Sequence, residues 1–591
     1  MDKRITRIFD LLPYYEQKFK PKADVLAGKE NGDWVKYDIT KFREIVDDIS
    51  YALLQLGIEK GDKIATISNN CPEWNFIDFA VLQTGAIHVP IYPTISEADY
   101  KYILIHSDVK FVFVAGKELF RKVEHILPEI DNVQEVYTFK TTEGLKHLSE
   151  LITLGAENQD AEKLQNIKSN ISADDTATLI YTSGTTGRPK GVMLSHANLL
   201  SNVEAVYHIF PVDEHCKAVS YLPLCHVYER MNIYTYIYLG VSIYYAENMG
   251  TIADNIREVQ PEILTTVPRL LEKVYDKIIA KGRKLKGIKK QLFFWAVNLG
   301  LSYQAENKNG IFYKLQLSIA NKLIFSKWRE ALGGKMRVIV SGGAALQPRL
   351  SKVFTAAQIP VLEGYGLTET SPVIAVNTLE PEGLKFGTVG KVIKNVEVKI
   401  AQNGEILVKG PNVMKGYFKD KAMTAEAIDS DGWFHTGDVG EIDSSGHLQI
   451  TGRIKEIFKT SMGKYISPAL IENRFKESAF IDGLMVIGEH HKFAAALIVP
   501  NFEHLRSWCR IKGINYTTDS EMITKKAIIN RFKKEVDHYN VYFGDYEKIK
   551  KFELTDHEWT VQSGELTANL KLKRNFIAKK YQDKIDEIYK T

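Results

Sequence analysis

The sequence predicts an α/β protein that changes texture twice towards its C-terminus, and three observations predict it. Up to about Val389, segments with helical spacing of apolar residues alternate with short apolar runs of strand length, the pattern of buried parallel sheets flanked by helices. From Val389 the runs shorten and are separated by turns such as Gln402-Asn403-Gly404 and Ser444-Ser445-Gly446, which reads as a smaller, mostly β subdomain. At Gly452-Arg453-Ile454-Lys455 the pattern becomes a mixture of helices and strands that runs to the end of the sequence. A chain of 591 residues is too long for a small binding module; at roughly 150 residues per domain it holds about four domains or one large multilobed enzyme.

The elements follow in order. Ile5, Ile8, Phe9 and Leu12 have the spacing of a short amphipathic helix. Residues 41–56 carry helical spacing and stop at Gly57; 63–67 is a strand, 75–84 is helical, and 111–115 is a second apolar strand. The strand ending at Thr182 runs into a glycine-rich loop, after which Ser195 is a candidate N-cap for the next helix. Residues 276–332 form a long helical insertion, and Val338-Ile339-Val340 is an apolar strand. Short strands are expected at 396–400, 405–408, 441–443 and 447–450.

Composition excludes several functions. With 77 Lys and Arg against 73 Asp and Glu, the chain has no global electrostatic footprint for nucleic acid. Four cysteines without C-x-x-C spacing argue against a disulfide framework and a structural zinc site, and fit a reducing compartment. The N-terminus lacks a secretory h-region, and no stretch approaches the ~18 uncharged apolar residues of a membrane span. The expectation is a cytoplasmic protein, with contact at the inner face of a membrane left open.

The most informative segment is Leu179-Ile180-Tyr181-Thr182-Ser183-Gly184-Thr185-Thr186-Gly187-Arg188-Pro189-Lys190-Gly191. Glycines let backbone N–H groups turn inward and hydroxyls add donors, so the loop can cradle phosphate oxygens. It is not a P-loop, because Pro189 rather than Gly precedes Lys190. Gly364-Tyr365-Gly366-Leu367-Thr368-Glu369 is not a dinucleotide fingerprint either: Glu369 stands where the third glycine belongs and would repel pyrophosphate. A carboxylate there suits a hard cation such as Mg²⁺. Tyr365 can present its ring to a base and Thr368 a hydroxyl to phosphate. In Ser341-Gly342-Gly343-Ala344-Ala345 small residues allow a nucleobase to approach the backbone, and Asp438 can accept from both ribose hydroxyls. Cys225 and His226 are adjacent on an extended segment and so point apart, which excludes a Cys–His dyad. Lys571, Lys573 and Arg574 are either a solvated basic face or a catalytic cluster.

Five segments in order resemble the signatures of adenylate-forming enzymes: 179–191, 364–370, 432–438, 452–456 and 566–574. The last is similar to the Leu-Thr-Pro-Thr-Leu-Lys-Leu-Lys-Arg form of long-chain acyl-CoA synthetases, with Ala568 and Asn569 in place of Pro and Thr. The resemblance implies a multilobed N-terminal domain over 1–453, made of two α/β subdomains and a small β-barrel-like subdomain, and a mobile α+β domain over 454–591. It implies ATP, Mg²⁺ and CoA as reactants, with Lys571, Thr185, Glu369 and His226 at the chemistry and Glu369 on the metal. Thr182, Ser183, Gly184, Thr186, Gly187 and Lys190 would hold phosphates. Gly343, Ala344, Ala345, Glu363, Gly364, Tyr365, Gly366 and Thr368 would surround the base and α-phosphate. Asp438 and Arg453 would hold the ribose, Lys455 would be a hinge, and Gly463 would admit the pantetheine. The segments 222–230, 267–275 and 276–332 resemble long-chain acyl-CoA synthetases, which implies a medium- to long-chain fatty acid substrate. Two other readings use the same residues: an acyl-AMP ligase serving a carrier protein, and a non-catalytic lipid- or nucleotide-binding relative. Within 281–297 a basic cluster precedes Phe293-Phe294-Trp295; it reads either as a membrane-surface contact or as a solvated face over ordinary core. Oligomeric state is not legible.

Overall fold

Strands form where the β-branched and aromatic runs lie, and the computed structural model describes every residue except 1, 3, 183–187, 306–307, 568–570 and 591. The chain divides into two compact units. The first comprises Met1–Lys399, Leu407–His435 and Asp443–Leu448; the second comprises Ile400–Ile406, Thr436–Ile442 and Gln449–Thr591.

Two mixed sheets organise the first unit. One has eight strands, in the order Gly416–Tyr417, Lys190–Ser195, Thr176–Thr182, Ile87–Ile91, Lys63–Ile67, Val109–Val114, Glu135–Thr138 and Lys146–His147. From Thr176–Thr182 to the far edge neighbouring strands are parallel, as the sequence predicts. The other edge departs from that expectation. Lys190–Ser195 is a strand antiparallel to Thr176–Thr182, not a simple lead into a helix, and its register places Thr182 opposite Lys190. The two strands that flank the loop thus form an antiparallel hairpin pair. Ser195 does cap the following helix, His196–Val206, accepting from the Asn198 N–H at 3.1 Å.

The second sheet has nine strands, with Val361–Gly366, Val338–Ser341, Ile263–Thr266, Lys217–Ser220, Ser242–Tyr245 and Leu26–Glu30 in spatial order and mutually parallel. Antiparallel strands Val373–Val376, Lys391–Val392 and Asp33–Tyr37 close its edges. In open α/β sheets ligands bind beyond the carboxyl ends of parallel strands. Here those ends deliver 221–226, 341–345 and 364–369, the segments singled out from sequence.

The helix Pro72–Gln83 is apolar nearly all round and buried over all but one of its residues; Gln83 and the Asn75 amide N–H find internal partners, while Asn75 Oδ1 accepts no hydrogen bond among the described residues. Gln83 donates to Ser50 Oγ at 2.7 Å, and Asn75 donates to the Tyr245 hydroxyl at 2.6 Å. The insertion folds as helices Pro268–Lys284, Gly287–Leu301 and Ile311–Ala320, a π turn Asn321–Phe325, and a helix Ser326–Ala331. Phe293, Ala296 and Val297 are buried in the core beside the second sheet, and Phe294 and Trp295 pack against it. The apolar run of 292–297 is therefore largely core. Among the described residues no helix is long and apolar enough to cross a membrane.

A four-stranded sheet, Glu397–Ile400, Glu405–Lys409, Phe434–Ile442 and Leu448–Arg453 in that order, supplies strands to both units. The 434–438 stretch is strand, within which Gly437 takes a left-handed φ of +69°. The rest of the second unit is built on a three-stranded sheet, Ile481–Ile487, Ala495–Pro500 and Lys551–Leu554. Glu472 on the helix Pro468–Phe475 grips Arg574 through two hydrogen bonds of 2.8 and 2.7 Å, fixing the start of the helix Arg574–Lys580.

Candidate active site

In the first unit the hairpin and the end of the strand Val361–Gly366 meet through a residue that the sequence reading missed. The Tyr417 hydroxyl donates to Glu369 Oε1 at 3.0 Å. The Lys190 ammonium lies 5.2 Å from the centre of the same ring. Tyr417 reaches this position because Gly416–Tyr417 pairs with Val192 and Met193 at the sheet edge. Burial and the neighbouring carboxylate push the phenol far above its ordinary pKa, so it stays a donor. No spacing rule links Tyr417 to a glutamate 48 residues earlier; only the hairpin edge brings them together.

The backbone around Glu369 is fixed from several sides. Its carbonyl accepts from the Met414 N–H at 2.8 Å. Asn202 accepts from the Val373 N–H at 2.6 Å and donates to the Thr370 carbonyl at 3.3 Å. A Cβ at Gly366 would fall 1.7 Å from the Pro372 carbonyl oxygen, so this position must be glycine. Gly364 differs: a Cβ there would sit at an ordinary 3.5 Å from Val376. Packing therefore does not demand a glycine at Gly364.

Glu369 suits Mg²⁺. Its side chain is half-buried, tethered to Tyr417 through one oxygen, and a carboxylate oxygen is the donor a hard cation takes. Among the described residues no three His, Cys, Asp or Glu gather into a cage. Mg²⁺ needs none when one or two carboxylates share it with substrate phosphates.

The neighbouring strand ends carry the other candidates. Gly343, with φ +79°, begins an exposed stretch with Ala344 and Ala345. Glu363 lies behind it, buried, accepting from the Leu346 N–H at 2.8 Å. Burial pushes its carboxyl up to about 8, and that single backbone donor offsets only part of the cost. Glu363 is thus a neutral prop for 343–346 at physiological pH. Tyr365, at the end of the same strand, is half-buried, and Thr368 is buried.

His226 caps the helix Val227–Leu239 through Nδ1, which accepts from the Tyr228 N–H at 3.1 Å, and its ring sits edge-on to Tyr92 at 6.5 Å. Cys225 is buried, with its thiol raised by burial, while His226 is half-exposed. Asn70 holds the preceding loop, donating to the Leu222 carbonyl at 2.7 Å and accepting from the Leu224 N–H at 3.1 Å. The Tyr228 hydroxyl donates to the Val340 carbonyl at 3.0 Å, joining this helix to the strand that leads into 341–345. Deeper, Arg230 is fully buried among partners not seen in the sequence: it pairs with Asp78 and donates to Thr178 Oγ1 at 2.7 Å and to the Tyr234 hydroxyl at 2.7 Å.

In the second unit Asp438 and Arg453 come together as expected. Arg453 Nε lies 2.7 Å from Asp438 Oδ1, with the carboxylate buried and the arginine partly exposed. The Gly437 N–H donates to Glu405 Oε1 at 3.0 Å and its carbonyl accepts from the Ile454 N–H at 2.9 Å, locking the two strands. Gly463, with φ +79°, closes the turn between Phe458–Lys459 and Tyr465–Ile466. Lys455 is exposed. Lys571 is also exposed, in a loop closed at its base by the Leu566–Leu572 bridge. Ser183, Gly184, Thr185, Thr186 and Gly187 lie outside the described residues, as do the substitutions at Ala568 and Asn569.

Comparison with known proteins adds a second line of evidence. The AMP-binding enzyme family matches residues 16–418, and the AMP-binding enzyme C-terminal domain matches 455–591. The chain is 32% identical over 568 residues to the long-chain-fatty-acid–CoA ligase FadD15 of Mycobacterium bovis, covering 95% of this chain and 93% of that one. It is 31% identical over 611 residues to fatty acyl-CoA synthetase A of Dictyostelium discoideum, covering 97% and 89%. Solved structures share the fold. The adenylation domain of a carboxylate reductase from Mycobacterium chelonae superposes with a TM-score of 0.77 at 19% identity over 100% of this chain and 92% of that one. A fatty acyl CoA synthetase of Mycobacterium tuberculosis gives 0.64 at 19% identity over 99% and 100%. With two family domains matched in order and relatives above 30% identity along nearly its whole length, the chain belongs to the AMP-binding enzyme family.

Proposed function

We propose that this protein is an ATP-dependent, AMP-forming ligase that joins a medium- to long-chain fatty acid to CoA. The convergence of Lys190, Tyr417 and Glu369 beside the carboxyl ends of the parallel strands carries the reading. The names of the relatives, long-chain-fatty-acid–CoA ligases, supply the substrate class.

A carboxylate is a poor electrophile. Its oxygen attacks the α-phosphorus of ATP, the bond to pyrophosphate breaks, and an acyl-adenylate forms. The CoA sulfur then attacks the acyl carbon, the bond to AMP breaks, and the thiol proton is released. Charge accumulates on phosphate oxygens in the first step, so fixed cations and donors there lower the barrier. The hairpin loop 182–190 and Lys571 provide them, and Glu369 would hold a Mg²⁺ that neutralises phosphate charge. Asp438 and Arg453 orient the ribose. The substrate brings its own thiol, which agrees with four free cysteines on the enzyme.

We assign the work to 1–453 and 454–591. Lys571 serves adenylation only, and the 461–465 turn serves thioester formation, with Lys455 as the hinge between the two states. The enzyme works in the cytoplasm, and the 281–297 segment contacts the inner face of a membrane through its basic cluster, Lys281 to Lys290. Pyrophosphate release across a panel of fatty acids, with and without CoA, tests the whole. Acid-dependent release with acyl-CoA and AMP as products supports the proposal. No release with any carboxylate refutes catalysis, and release without CoA-dependent thioester points to a carrier-protein acceptor.

A further inference from the structure

The helix Ile311–Ala320 is apolar nearly all round yet lies at the surface: of its ten residues only Ala320 is buried. Ile311 is 87% exposed and Phe312 74% exposed, and Leu315, Ile319 and Leu323 continue the same side at four-residue steps. Ile288, 74% exposed, and Leu292 stand on the neighbouring helix Gly287–Leu301. The underside is anchored. Ala320, Phe325 and Trp328 are buried in the core of the first unit, and the Tyr313 hydroxyl donates to the Leu299 carbonyl at 2.7 Å. This outward face is therefore a fixed feature of the fold. A contiguous apolar face of this kind marks an interaction site.

Charge decides what covers it. Residues 281–328 contain ten Lys or Arg and one Asp or Glu, in a chain whose total is only +4. Lys314, Lys322 and Lys327 are exposed on the helical segment itself. A second copy seated symmetrically on this face would bring the two basic rims together, which like-charge repulsion opposes. A bilayer with anionic headgroups meets both needs: its interface takes the apolar side chains and its charge attracts the lysines. We propose that the face formed by Ile311, Phe312, Leu315, Ile319 and Leu323 is the docking surface for an anionic lipid membrane. The inference rests on the membrane contact assigned above to 281–297 and moves its apolar part to 311–323.

The test is flotation of the full chain with phosphatidylcholine vesicles, with and without phosphatidylglycerol. The parent is expected to float with the anionic vesicles only. The triple variant Ile311→Ser, Phe312→Ser, Leu315→Ser should lose roughly tenfold or more of its binding. Its melting temperature and its ligation of water-soluble octanoate should match the parent's. A second variant, with Lys284, Lys286, Lys289 and Lys290 each changed to Gln, tests 281–297 separately. Loss in the lysine variant with full binding in the triple variant overturns the 311–323 face and leaves the 281–297 contact standing. A parent that floats with neither vesicle overturns both. A parent dimer that the triple variant dissolves, with flotation unchanged, assigns the face to a second copy instead.

Discussion

The Tyr417 hydroxyl holds Glu369 by a 3.0 Å hydrogen bond while the Lys190 ammonium lies against the same ring. One aromatic side chain thus contacts both Lys190 and Glu369, which under the proposed function face the phosphates and the metal. Tyr417→Phe keeps the ring and removes the donor. The loss of one hydrogen bond to a charged group predicts a fall of roughly tenfold in adenylation and a higher Mg²⁺ requirement. Glu369→Gln should cost about 100-fold or more. Pyrophosphate release titrated against Mg²⁺ separates the two; an unchanged Mg²⁺ dependence in Tyr417→Phe contradicts the coupling.

Lys571 is paired through its backbone with Thr567: its N–H donates to Thr567 Oγ1 at 3.1 Å and its carbonyl accepts from the Thr567 N–H at 2.8 Å. The side chain is exposed, so Lys571→Ala should change stability by less than about 0.5 kcal/mol. Adenylate formation should fall by roughly 100-fold or more. Thioester formation from synthetic acyl-adenylate should be nearly unaffected. Equal loss in both half-reactions would contradict a role for Lys571 confined to the first step.

Asp78 and Arg230 form a fully buried pair. Burial alone would raise the Asp78 carboxyl, but Arg230, His88 and Tyr234 outweigh it and hold the carboxyl below its usual range. His88 Nδ1 lies 2.7 Å from one oxygen of Asp78, and the Tyr234 hydroxyl donates to the other at 2.6 Å. Arg230→Met strands the carboxylate and should destabilise the first unit by about 3–5 kcal/mol. Adding Asp78→Leu should recover much of that loss. Thermal denaturation of the single and double variants measures it, and a double variant no better than the single one counts against the pair.

Glu363 sets a pH dependence. Its folded pKa of about 8 lies above the ordinary 4.5, so the folded state holds a proton that the unfolded chain releases. The stability it contributes is complete below about 4.5 and is lost as pH rises through about 8. The melting temperature should therefore fall as pH rises from about 4.5 to about 8 and level off above that. Glu363→Gln, which keeps an acceptor for the Leu346 N–H, should flatten that drop. A parallel pH profile in parent and variant would argue against the neutral carboxyl.

Much of the fold was legible because its signals are local. The strand at 63–67 has the predicted limits, and Ser195 caps its helix as expected. The strand Lys190–Ser195 was not legible: glycine and proline at its start mask a run whose partner lies across the loop. The strand Phe434–Ile442 begins well before the 441–443 expected for it, because Gly437 and Gly440 interrupt its apolar pattern. At the site, Asp438 and Arg453 were named from motif resemblance and are in contact. Tyr417, Asn202 and Asn70 were missed because each acts on a partner distant in sequence, and polar residues of these types are common. Of the two readings of the aromatic run at 292–297, the structure favours ordinary core: Phe293, Phe294 and Trp295 pack inward, while the apolar face left in solvent belongs to a helix whose composition drew no notice.

The hydrogen bond from Tyr228 to Val340 joins the helix Val227–Leu239 to the strand that delivers Gly343–Ala345. Under the proposed function, which puts the acid beside the first and the nucleotide on the second, acid preference and nucleotide affinity are linked traits. Substitutions that retailor 222–230 for another chain length will carry a side effect on the KM for ATP, and compensating changes are expected at 338–345. Directed evolution towards new acids should therefore score both substrates together, because a pocket redesigned alone shifts the floor on which the nucleotide rests.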